Sequence, residues 1–163
     1  MSVREELLAA NERFAAGFAA GDLGGRPQRR VAIVTCMDAR LDPARALGLE
    51  LGDANVIRNA GAVVSDDVLR SLVFSHWLLG AEEALVIGHT DCGVAKVTDD
   101  QVRAQLAAGG VNAQGVDFRT FGDVEENVRV GVRRIRDSRL LPDSFAAAGY
   151  VYDVTTGRLR GVA

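Results

Sequence analysis

The chain has 163 residues, 48% of them apolar and 25% charged, with a net charge of −3. That length suits one domain whose core needs no staples, and the slightly acidic balance offers no basic field for a nucleic acid. No apolar run approaches the ~20 residues of a membrane span, and MSVREELL carries acids where an export signal needs bases, so a cytoplasmic protein with no membrane partner is expected.

Residues 2–19 read as a helix. Ser2 and Glu5 make an S-x-x-E capping box, and Val3, Leu7, Ala10, Phe14 and Phe18 follow at helical spacing. Placed ahead of the first strand, this helix either covers the domain's flank or reaches across to a partner subunit. VAIVT at 31–35 is a first strand, apolar throughout as when both faces of a parallel strand are covered. Pro43 starts a short helix over 43–51, and ANVIR at 54–58 is a second strand. Ser65 caps a helix over 66–79 that Gly80 ends; His76, within it, reads as a packed or interface residue. ALVIG at 84–88 is a third strand, and a helix is expected over 94–106. The Gly-rich stretch 108–120 reads as loop. Phe121, Val124, Val128, Val132 and Ile135 share one helical face, with acids near that helix's start and Arg133, Arg134 and Arg136 near its end, as the helix dipole prefers. YVYDV at 150–154 is a last strand, and 159–162 returns as a hairpin arm.

Strands alternating with helices predict a single α/β domain over 1–163, a mostly parallel β-sheet flanked by helices. In such sheets ligands bind beyond the carboxyl ends of the strands, where strand order reverses. The first strand runs into Cys36, Asp38 and Arg40 at alternate positions; the third runs into His89, with Cys92 three residues later. These are both of the chain's cysteines and one of its two histidines. Two thiolates and an imidazole suit zinc, and three protein ligands leave a fourth position open, as in catalytic sites. Two thiolates cancel the charge of Zn²⁺, so a hydroxide bound there leaves the site negative, with Arg40 as the cation to stabilise it. Asp38 is either a fourth ligand in a closed state or a hydrogen-bond acceptor standing back from the metal, held bidentately by Arg40.

C-M-D-A-R at 36–40 and H-T-D-C-G at 89–93 resemble the two signature motifs of the β-class carbonic anhydrases. The resemblance extends through IRNAGAVVSDDVLRSL at 57–72, and YVYDVTTGRL resembles that family's end; the chain is similar to its compact members. The resemblance implies one zinc per subunit on Cys36, His89 and Cys92, a dyad of Asp38 and Arg40, and a homodimer or homotetramer. It implies a lyase, carbonate dehydratase, that reversibly hydrates carbon dioxide to bicarbonate and a proton through zinc-bound hydroxide. Gly61 and Val63 are the expected walls of the substrate pocket, with backbone amides near 60–61 offered to a substrate oxygen. The bicarbonate-inhibited subtype has a Trp three residues before the first cysteine; Ile33 stands there, so that regulation is not expected.

Plainer readings compete. Cys36 and Cys92 would serve equally as buried core thiols, or the zinc would be structural with Asp38 as a permanent ligand. Asp91 reads as a helix cap. The same scaffold acting on COS or CS₂, and a non-catalytic zinc or bicarbonate binder, are the rival functions.

Overall fold

The computed structural model describes all of residues 1–163. β1 (Val31–Cys36) is buried along its whole length because it has a parallel neighbour on each side: β2 (Ala54–Asn59) and β3 (Glu83–His89). Beyond β3 lie β4 (Ala146–Tyr152), also parallel, and β5 (Leu159–Gly161), antiparallel, in the order β2-β1-β3-β4-β5. The chain steps from β1 outward to β2 and then back across β1 to β3. The carboxyl ends of β1 and β3 therefore lie side by side at the point where strand order reverses. The Thr35 hydroxyl donates to the Ile87 carbonyl at 3.0 Å and ties those two ends together.

Five helices accompany the sheet: α1 (Val3–Ala16), α2 (Pro43–Leu47), α3 (Asp66–Trp77), α4 (Asp99–Ala108) and α5 (Val124–Arg136). The main core joins Val34 and Val86 of the sheet to Leu72 of α3 and to Val128, Val132 and Ile135 of α5. Gly88 of β3 and Gly149 of β4 let α5 lie close to the sheet: a Cβ at either would stand 2.8 Å or 2.6 Å from a Val128 methyl. A smaller cluster surrounds Cys36 and Cys92, built on Leu41 and Ala62 with Phe121 and Val124 packed against it.

The expected elements are present, with boundaries displaced for local reasons. α1 carries the Ser2–Glu5 capping box, yet none of its residues is buried; Val3, Leu7, Leu8 and Phe14, with Phe18 just past its end, face solvent, so it does not cover the flank of its own domain. α2 stops at Leu47 because Gly48 takes a left-handed cap. The helix expected from Val94 is a 3₁₀ turn (Gly93–Lys96) followed by α4, which starts after Thr98, whose side chain forms a capping box with Gln101. β4 begins four residues earlier than Tyr150, in the small residues Ala146–Gly149 that α5 packs over. It ends at Tyr152 because the Asp153 side chain accepts from the Thr155 and Thr156 amides and turns the chain. His76 is packed as expected: Nδ1 meets the Ala81 carbonyl at 2.7 Å and the ring stands edge-on to Trp77 and Phe145. No helix is long and apolar enough to cross a membrane.

Candidate metal centre

The sheet delivers Cys36 and His89 as the last residues of adjacent strands. A turn through Asp91, in the left-handed region at φ 58°, then brings Cys92 back beside them. The ligating atoms of Cys36, His89 and Cys92 lie within 4.8 Å of one another, and all three residues are buried. His89 Nδ1 faces the Thr90 carbonyl at 2.9 Å. A carbonyl only accepts, so Nδ1 carries the proton and Nε2 presents a lone pair. That Nε2 is buried and has no hydrogen-bond partner. A buried acceptor left bare is costly, and the usual resolution for an imidazole beside two thiols is a metal ion. The S₂N donor set fits Zn²⁺.

Burial, with Cys36 alongside, raises the Cys92 thiol above its ordinary value, opposed by the Val94 and Ala95 amides. A bound cation reverses that balance, since it favours thiolate. The Gly61 amide donates to Cys36 Sγ at 3.3 Å.

Asp38 and Arg40 meet as a fork. Arg40 Nε and Nη2 donate to the two Asp38 carboxylate oxygens at 3.0 and 2.8 Å, and the Arg40 amide adds a third bond at 2.9 Å. These bonds hold the Asp38 carboxyl well below the usual carboxylate range and raise Arg40 above its own. Asp38 Oδ2 lies 3.9 Å from His89 Nε2. Both carboxylate oxygens are engaged by the guanidinium, and one of them borders the bare imidazole.

Three residues around this fork escaped the sequence reading. Asp91, expected to be a cap, receives Arg40 Nη1 at 2.8 Å, and its carbonyl receives Nη2 at 3.1 Å; Lys96 pairs with its other carboxylate oxygen. Lys96 first and Arg40 second hold its carboxyl down at about 2. Arg40 thus ties the loop after β1 to the loop after β3. Arg58 donates to the Cys36 and Asp38 carbonyls at 3.0 and 2.8 Å, bracing the segment between ligand and dyad. A charged residue on a short strand gave no signal of this, since the acceptors are backbone. Of the amides near 60–61 expected to face a substrate oxygen, that of Gly61 is committed to Cys36 Sγ.

A family model described as Carbonic anhydrase matches residues 31–116, more than half of the chain and including all five motif residues. Beta-carbonic anhydrase 1 of Mycobacterium tuberculosis (strain H37Rv) is 42% identical over 162 residues, 99% of each chain. The chain belongs to the β-carbonic anhydrase family. The crystal structure of carbonic anhydrase from Streptococcus mutans superposes on this β-carbonic anhydrase fold with a TM-score of 0.95 at 44% identity, covering 100% of this chain and 99% of that one. The chain is also similar to a carbon disulfide hydrolase from Acidianus sp. (strain A1-3), 31% identical over 156 residues, 81% of this chain and 76% of the relative.

Proposed function

We propose that this β-carbonic anhydrase reversibly hydrates carbon dioxide to bicarbonate and a proton, with zinc on Cys36, His89 and Cys92 and with Asp38 and Arg40 as its dyad. The observation that carries the reading is the buried, unpartnered Nε2 of His89 beside two thiols, with a carboxylate held at its edge. A zinc ion held by these residues supplies Lewis acidity that makes water a nucleophile near neutral pH. The rest of the chemistry belongs to the chain. Arg40 keeps Asp38 ionised, so Asp38 Oδ2 is an acceptor for the hydrogen of the attacking oxygen and turns its lone pair toward carbon. Arg40 spreads that negative charge and, through Asp91, holds the two ligand loops in register. With both its oxygens on the guanidinium, Asp38 stands off the ligands; the closed state, with Asp38 as fourth ligand, requires breaking that fork. Val63 and Gly61 remain the apolar walls we assign to the substrate, without the amide contact.

The identity with a β-carbonic anhydrase over the whole chain, against a lower identity and shorter overlap with the carbon disulfide hydrolase, supports CO₂ over CS₂. We also assign a homodimer or homotetramer, on the apolar surface of α1, and a reducing cytoplasm on the two free thiols. Parallel stopped-flow assays of CO₂ hydration and CS₂ hydrolysis on zinc-loaded protein test the choice; CS₂ turnover without CO₂ turnover would reject it.

A further inference from the structure

Gly61 is gripped from three sides. Its N–H donates to Cys36 Sγ at 3.3 Å. Its carbonyl accepts from Asn127 Nδ2 at 3.0 Å, a residue 66 positions away on α5. Its Cα is crowded: a Cβ there would stand 2.6 Å from the Phe121 ring, and its φ of +82° already excludes most side chains. α5 itself has little freedom to move, because Val128, next to Asn127, is buried against the glycine-lined faces of β3 and β4. A line therefore runs from the sheet through α5 and the Asn127 amide to the Gly61 carbonyl, across the crowded Gly61 Cα to the Gly61 N–H, and from that N–H to one sulfur.

We propose that Asn127 is a positioning residue for the metal centre: by fixing the Gly61 carbonyl it aims the Gly61 N–H at Cys36 Sγ. The inference rests on the metal-site reading above. An N–H directed at a thiolate withdraws charge from it and fixes the direction of its remaining lone pairs, so it sets how strongly Cys36 donates to the metal. Partners of this kind tune metal sites as much as they support them. α5 also packs Val124 against the cluster around Cys36 and Cys92, but Asn127 is the α5 side chain that reaches Gly61 by a hydrogen bond. Asn127 carried no metal-ligand or catalytic signature in the sequence, because its target is a carbonyl rather than the metal or the substrate.

The test uses the full chain loaded with cobalt(II) or zinc. Asn127→Leu removes the donor at similar volume, and Asn127→Asp sets a carboxylate against the Gly61 carbonyl; Val132→Ala weakens α5 packing without touching Gly61. The thiolate-to-cobalt charge-transfer band is read alongside zinc release to a chelator. Both Asn127 variants are expected to shift the band and speed zinc release on the order of tenfold, while Val132→Ala, compared at matched stability, leaves both at wild-type values. If either folded Asn127 variant keeps the wild-type band and release rate, or if Val132→Ala reproduces the change, the positioning role is overturned while the metal site stands. Wild-type protein that takes up neither metal overturns both.

Discussion

Asp38 illustrates how two neighbours decide the chemistry of one carboxylate. Left alone at a strand end beside two thiols, it would be an obvious metal ligand. The Arg40 fork on both its oxygens instead makes it a held acceptor at the edge of the site. Cys36→Ser, His89→Ala and Cys92→Ser are each expected to lose zinc, read as metal content after gel filtration. Asp38→Ala is expected to keep zinc and lose at least tenfold to a hundredfold in turnover, the range for groups that orient metal-site chemistry; full activity in that variant would contradict the orienting role. Arg40→Lys supplies charge without the planar fork, so it should fall between wild type and Asp38→Ala. The five residues of the two motifs were legible because their types and spacing are chemical. Asp91 was not: its part depends on a left-handed backbone turn that swings its carboxylate toward Arg40, and nothing in a linear sequence records that rotation.

At the scale of elements, α4 and the loop after it form a unit around one acid. The Asp99 carboxylate accepts from the Thr120 hydroxyl and from the Phe118 and Thr120 amides, and pairs with Arg103. The Thr120 hydroxyl first, then those amides, lowers its pKa below the ordinary 3.8. A carboxyl whose folded pKa is depressed contributes stability that is fully present above its unfolded value and lost as pH falls through the folded one. Asp99→Asn should therefore lower the urea midpoint by a constant amount above pH 3.8, and by a shrinking amount below it; a pH-independent difference would contradict this. The seat of α5 makes a second prediction. Gly149→Ala would force a Cβ to 2.6 Å from Val128, so it should cost about 1–3 kcal/mol by overpacking, measured by chemical denaturation. The same close approach explains why β4 was read too short. Ala146–Gly149 is small because a helix packs over it, and small residues carry little strand propensity. The start of α4 was missed for a different reason: Thr98 and Gln101 form the capping box, and the apolar residues before them belong to a 3₁₀ turn.

At the scale of the whole molecule, one topological fact organises the rest. Because β1 and β3 are neighbours and β2 lies outside them, two motifs distant in sequence end at one place. Alternating strands and helices made the α/β class legible, and two apolar runs each halting at a metal-type residue made the site legible. Strand order was legible only as a condition those residues required. α1 is the element the single chain leaves unexplained: a capped helix whose apolar side chains Leu7, Leu8 and Phe14 are all exposed. If the dimer we assign to α1 buries this surface, wild-type protein should sediment as a dimer or larger, and Leu7→Glu with Phe14→Glu should shift the sedimentation coefficient to a smaller species.

We propose that Cys36, His89 and Cys92 hold a zinc with which the Asp38–Arg40 pair hydrates CO₂. Stopped-flow CO₂ hydration on fresh, reduced protein, with zinc measured per chain in the same sample, tests it most directly. Turnover should scale with zinc up to one ion per chain. One zinc per chain with no CO₂ hydration, or reduced protein that holds no zinc at all, would contradict it.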